Sequence, residues 1–147
     1  MHTVFAMRNL PEIACWTESG RGVTIEEHSN WFASRLALDD NRLFLIDVLG
    51  THVGSLDLAR RGNEVVISIY LLSALRGRGH GRRLIQEACD IAWRSWGPLV
   101  VTARILSDNA ASLHAFGAAG FAKVGDEGQV IVTQRAPETK REARHVK

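Results

Sequence analysis

Apolar and polar positions alternate most clearly in the middle of the chain. Leu43-Phe-Leu-Ile-Asp-Val-Leu49 and His52-Val-Gly-Ser-Leu-Asp-Leu-Ala59 are strand-length runs, and Gly50-Thr51 between them predicts a hairpin. Arg60-Arg-Gly-Asn63 then turns the chain into Glu64-Val-Val-Ile-Ser-Ile-Tyr-Leu-Leu72, a β-branched run too short for a typical helix. These three strands form an antiparallel meander. Further on the period changes, and Leu84, Ile85, Ala88, Cys89, Ala92, Trp93 and Trp96 make the stripe of an amphipathic helix. Gly97-Pro98 stops it. Leu99 to Ile105 supplies another strand, most simply parallel to the one before the helix through a right-handed crossover. Upstream, Thr24 and Glu27 fit a capping box opening a helix from about Ile25 to Leu38. Downstream, Asn109 caps a short helix that Gly120 ends, and two runs, Phe121 to Val124 and Gln129 to Gln134, flank a turn at Asp126-Glu-Gly128. The expected class is α+β: a mixed, mostly antiparallel central sheet flanked by helices, an α/β sandwich.

Composition narrows the classes without changing that picture. The chain has 147 residues, 46% hydrophobic and 23% charged, which suits one soluble globular domain and excludes disorder. Residues 1–135 read as that domain and 136–147 as a basic, mobile tail. No run is long and apolar enough to span a bilayer, so the reading is cytoplasmic with no membrane partner. A net charge of +2 with dispersed acidic residues argues against a nucleic-acid face. Cys15 and Cys89 lack metal-ligand spacing and read as packing thiols, so no metal is expected.

The candidate chemistry begins at Arg76-Gly-Arg-Gly-His-Gly81, which follows a strand and opens a helix. Glycines there free backbone N–H groups at the positive end of a helix dipole, beside Arg76, Arg78, Arg82 and Arg83. Taken alone, the stretch is a phosphate cradle or merely a tight turn. A dinucleotide fingerprint needs different glycine spacing and an acid about 20 residues on, where Gly97-Pro-Leu-Val-Val101 stands. A Walker loop needs Gly-Lys-Ser/Thr, and here Gly81-Arg82-Arg83 closes the turn.

Arg76, Gly79 and Gly81, followed by Asn109, Ser112, Gly120 and Phe121, resemble the GNAT superfamily of acetyl-CoA-dependent N-acetyltransferases. The resemblance spans Glu64 to Phe121, with weaker support from Ile25 to Ala59. It implies acetyl-CoA at a V-shaped splay between two central parallel strands. The main chain of Ile69 and Leu71 would pair with the pantetheine arm. Arg76, Gly77, Arg78, Gly79, His80, Gly81 and Arg82 would hold the pyrophosphate, and Asn109, Ser112 and Phe116 would lie along the far side of the cofactor. Within the family, Arg8-Asn9, His28 and Trp31 are similar to the N-terminal segment of nucleotide-aminosugar acetyltransferases of the pseudaminic acid type, with Met7 where a Trp is usual. That likeness implies an amine on a nucleotide-linked aminosugar as acceptor, within polysaccharide biosynthesis. Arg8, Asn9, Trp16 and His28 would then be substrate-binding. Too few residues precede Arg8 for a full first strand, so a trimmed domain, or a homodimer in which a partner lends an edge, is expected.

Acetyl transfer to an amine calls for a neutral amine, an oxyanion donor and an acid for the departing thiolate. The resemblance implies a main-chain donor near Leu71. Its usual tyrosine acid is replaced by Phe116 and its usual glutamate base by Val66. Candidate bases are Glu64, Asp57, His28 and His52, and Tyr70, the chain's single tyrosine, is the one phenol available. Three functions compete at this point: a small-amine N-acetyltransferase, a protein N-terminal acetyltransferase of the ribosomal-protein type, and a catalytically silent CoA-binding module.

Overall fold

The computed structural model describes residues 1–73 and 77–138. The elements run α1 (His2–Arg8), α2 (Pro11–Ala14), α3 (Ile25–Leu36), β1 (Asn41–Val48), β2 (Thr51–Arg61), β3 (Glu64–Leu71), α4 (His80–Trp96), β4 (Val100–Leu106), α5 (Ala110–Ala118), β5 (Ala122–Glu127) and β6 (Val130–Arg135). One six-stranded sheet is ordered β1-β2-β3-β4-β6-β5. Only β3 and β4 are parallel, as the crossover through α4 requires. The expected meander and mixed sheet are both present.

Two turns fall elsewhere than expected. The first hairpin turns at Leu49-Gly50, because Val48 pairs with Thr51, and both turn residues have positive φ, 49° and 81°. That is the type I′ geometry matching strand twist, and here leucine, fully exposed, takes one left-handed position. The last hairpin turns at Gly128-Gln129, between the paired Glu127 and Val130, rather than at 126–128. No strand precedes Asn41 among the described residues; α1 and α2 occupy the start. Much of the expected tail, Thr139 to Lys147, lies outside the described residues.

The capping box at α3 forms on both sides: Glu27 N–H donates to Thr24 Oγ1 and Thr24 N–H to the Glu27 carboxylate. On one sheet face, Ile85, Ala88, Cys89 and Ala92 of α4 pack with Phe116 of α5 on Leu58, Val65, Ile67 and Val101. These side chains are almost wholly buried. Burial also raises the Cys89 thiol pKa to about 11, keeping it a neutral packing group. The opposite face, under α1 and α3, is more polar: Ser55 and Asp57 of β2 are buried there. No helix is long and apolar enough to cross a membrane, among the described residues.

Candidate active site

The site follows from where the parallel pair comes apart. β3 and β4 align only at Glu64–Val100, Val65–Val101 and Val66–Thr102. Beyond Val66, β3 stays on β2 as far as Leu71, whereas β4 follows β6 as far as Leu106. A gap opens between them. Leu72 N–H donates to the Val53 carbonyl (2.9 Å). The antiparallel alternation therefore turns the main chain of Ser68 and Tyr70 toward β2 and that of Ile69 and Leu71 toward the gap. A cavity of about 790 Å³ fills the gap, bounded by Gly77, Gly79, Gly81 and Arg82 on one side and by Asn109, Ser112 and Phe116 on another. Its size is that of a cofactor site. Through the gap it reaches the other sheet face, past Ser68 and Tyr70, to Ile13, Trp16, Thr17 and Glu18.

Gly77 and Gly79 adopt left-handed φ values of 77° and 76°, and open space lies where a Cβ of either would stand. Gly79 is the N-cap of α4, contributes no side-chain cap, and no acidic residue occupies the first turn. The first-turn N–H groups are therefore available to an anion, with Arg82 on the same wall. A wall of backbone edge, left-handed glycines, arginine and apolar Phe116 fits the pyrophosphate and pantetheine of an acyl-CoA. Arg76 lies outside the described residues. Arg78 and His80 are exposed and do not line the cavity. Asn109 caps α5, its Oδ1 accepting the backbone N–H of Ser112 (3.2 Å), which accounts for the asparagine at this position.

The catalytic candidates separate. Tyr70 and Leu71 line the cavity where it crosses the sheet. Burial pushes the Tyr70 phenol up, with Asp57 adding to the rise and Arg8 and Arg35 opposing it, so the phenol holds its proton. Phe116 is buried edge-to-face on Phe121 (5.0 Å) and has no proton to give. Glu64 shares the face of Tyr70 but stands at the other end of β3 and does not line the cavity. Its carboxylate accepts from Thr102 Oγ1 (2.5 Å), and Thr102 accepts in turn from Gln134 Nε2 (3.2 Å). His52 pairs with Asp47 at the β1–β2 hairpin, exposed and away from both cavities. Neither Glu64 nor His52 meets the gap as a candidate base should.

On the acceptor side the outcome is also mixed. Asn9 is used within the fold: Nδ2 donates to the Phe5 carbonyl (3.1 Å) and Oδ1 accepts Val23 N–H (2.6 Å). It ties the segment before α3 to α1. Arg8 ties the same segment, donating to the Arg21 carbonyl (3.0 Å) and Thr17 Oγ1 (3.1 Å). Trp16, partly exposed, lines the large cavity. His28 lies 4% exposed among the rings of Phe5, Trp31 and Phe32.

A second cavity, of about 300 Å³, lies between α1, α3 and the sheet. Ser68 and Tyr70 line both cavities, so the two meet on β3. Arg8, His28, Arg35, Ser55 and Asp57 line the smaller one. Arg35 bridges Asp57 at 3.4 Å and donates to Asn41 Oδ1 at 2.9 Å. Burial raises the Asp57 carboxyl pKa against the lowering effect of Arg35 and Arg61. Sequence reading missed Arg35, Ser55 and Ser68, and it missed Glu18, which pairs with Arg104 (2.8 Å) across the mouth of the large cavity. The sequence carried no signal for the sheet serines: β2 is buried without interruption from Gly54 to Ala59 although Ser55 and Asp57 interrupt its apolar pattern.

Burial lowers the His28 pKa from 6.5, the Met1 backbone opposing the fall. Below about 6.5 the unfolded chain therefore binds more protons than the native one, and stability falls with pH until the lowered native value is passed. His28→Gln lacks this dependence. The stability gap between wild type and His28→Gln is expected to narrow between about pH 7.5 and about pH 5, read from urea midpoints. A constant gap contradicts a buried neutral imidazole.

Comparisons with known proteins agree with this geometry. A family model described as Acetyltransferase (GNAT) domain matches residues 1–122. No curated protein sequence matches the chain. Among solved structures, the fold is similar to a domain from Methanocaldococcus jannaschii DSM 2661, with a TM-score of 0.80 and 21% identity over 92% of this chain and 91% of that one. It is similar to a ribosomal-protein-alanine N-acetyltransferase from Brucella melitensis, with a TM-score of 0.72 and 24% identity over 92% and 93%. An aminoglycoside acetyltransferase in complex with coenzyme A gives a TM-score of 0.77 and 14% identity over 92% and 88%.

Proposed function

The chain belongs to the GNAT acetyltransferase family, and from that premise we propose that it acetylates a primary amine on a small hydroxylated molecule, with a nucleotide-linked aminosugar as the preferred class. It is an N-acetyltransferase that uses acetyl-CoA. When bound, acetyl-CoA supplies an activated acyl group to an amine nucleophile. The chain's own part is to hold, orient and move protons. Gly79 and Arg82 suit the anionic end, and the main chain of Ile69 and Leu71, turned toward the gap, suits the amide-bearing arm. Tyr70, protonated and at the crossing of the sheet, is our candidate proton donor to the departing thiolate.

One observation carries the acceptor reading: Ser68 and Tyr70, beside the gap through the sheet, line both the cofactor cavity and a compact polar cavity. A cavity of about 300 Å³ suits a single ring better than an extended peptide. The second reading, acetylation of a protein N-terminus, draws on the Brucella melitensis neighbour, and it needs an open groove on the side that Glu18 and Arg104 bridge. A third, silent CoA binding, follows from Phe116 and Val66 at the usual acid and base positions. A panel of nucleotide-linked aminosugars, alanine-initiated peptides and polyamines, followed by CoA release, separates the three. We expect the aminosugars to react fastest. Reaction with peptides alone overturns the acceptor class, and tight CoA binding without turnover on any amine identifies the silent module.

A further inference from the structure

We infer that the smaller cavity is a subsite for the ring hydroxyls of the acceptor, with Asp57 receiving a hydroxyl hydrogen, Arg35 donating to a hydroxyl oxygen and His28 as a further polar contact. The inference deepens the acceptor reading above and rests on it.

Its starting point is unmet hydrogen bonding. Asp57 Oδ1, Arg35 Nε and His28 Nε2 are buried and have no partner among the described residues. Asp57 is 7% exposed and His28 4%, and both line the cavity. Groups so placed in a folded chain are normally satisfied, by protein, water or ligand. Asp57 Oδ1 accepts and Arg35 Nε donates, so the missing partner both donates and accepts. A hydroxyl does both.

Charge points the same way. Of the residues lining the cavity, Arg8 and Arg35 are cationic and Glu27 and Asp57 anionic. Glu27 is already matched by Arg21 (3.0 Å) and Asp57 by Arg35 (3.4 Å). A polycation finds no net negative charge there. Position completes the argument: Asp57 lies directly across from Ser68 in the β2–β3 ladder and diagonal to Tyr70, and both of those residues also line the large cavity. A ring whose amine reaches the gap at Tyr70 presents its remaining hydroxyls to Asp57 and Arg35.

Two probes separate ring hydroxyls from the amine alone: D-glucosamine and cyclohexylamine, an amine on a ring without hydroxyls. Each is titrated into the full chain with CoA present, while the His28 ring resonances and Trp31 fluorescence report from the cavity wall. We expect glucosamine to shift His28 saturably and cyclohexylamine not to. Asp57→Asn should weaken glucosamine about tenfold or more, raising its KM while leaving CoA affinity unchanged. If Asp57→Asn does not fold, Ser68→Ala is expected to weaken glucosamine in the same direction. Equal response to both probes, unchanged glucosamine affinity in the variants, or no His28 shift with either probe, meaning a cavity that holds only water, overturns the subsite. Failure of the acceptor reading looks different: a saturable His28 shift without acetyl transfer loses the reaction, whereas glucosamine acetylation without a His28 shift keeps the reaction and loses the subsite.

Discussion

Gly79→Asp is expected to abolish acetyl-CoA binding while leaving the fold intact. Gly79 has φ near +76° and caps α4 without a side chain. Aspartate is among the few side chains that adopt this left-handed conformation, at a cost of about 1–2 kcal/mol that a folded domain survives. Ligand binding does not. No atom lies within 4 Å of the added Cβ, so the new carboxylate projects into the space that suits a pyrophosphate. Like charges about 4 Å apart near a protein surface repel by about 4 kcal/mol before salt screening. A loss of about 100-fold or more in acetyl-CoA affinity follows, read by calorimetry beside a melting curve that stays cooperative and matches that of Gly79→Asn. Gly79→Asn, which adds the same shape without the charge, should lose far less. Undiminished affinity in Gly79→Asp refutes the assignment of the loop.

The loop, the crossover and the meander were legible because each is written in neighbouring residues. Period and glycine spacing identify a strand, a turn and a helix over one stretch of chain. The acceptor side is written differently. Arg8, His28, Arg35, Asp57 and Tyr70 come from four separate elements and meet only when α1 and α3 close over the sheet. A polar residue alternating along a strand reads as solvent-facing, so Ser55 and Ser68 carried no sign of burial. Glu64 shows the same limit from the other side. Alternation correctly put it on the face of Tyr70, but a strand advances about 3.3 Å per residue, so six residues of separation leave it about 20 Å from Tyr70. Arg8 and Asn9 were read as substrate-binding from a likeness in the sequence, yet most of their polar contacts tie α1 to the segment ahead of α3, which a motif cannot distinguish from binding.

Gly54→Ala is expected to lower kcat/KM by about 100-fold with a smaller effect on acetyl-CoA affinity. A Cβ on Gly54 would stand 2.4 Å from the Tyr70 carbonyl oxygen and 2.9 Å from Leu71 Cδ2. The first of these is backbone and cannot rotate away. On the other side Ile46 Cδ1 lies at 3.2 Å, so β2 has little room to retreat toward β1. β3 must move instead. Past Val66 it is no longer aligned with β4 and borders the gap, so the displacement goes into the cavity at Tyr70 and Leu71. Overpacking of this kind costs about 1–3 kcal/mol of stability, which a folded domain of this size survives. Misplacement by about 1 Å where the acyl group and amine meet is enough for the rate effect. The left-handed Gly77 and Gly79, which suit the pyrophosphate, are not among the neighbours the added Cβ meets, which is why cofactor affinity should hold better than turnover. Steady-state kinetics with acetyl-CoA titration measures both quantities. Unchanged kcat/KM in a folded Gly54→Ala protein shows that the reacting groups do not meet beside Tyr70 and Leu71.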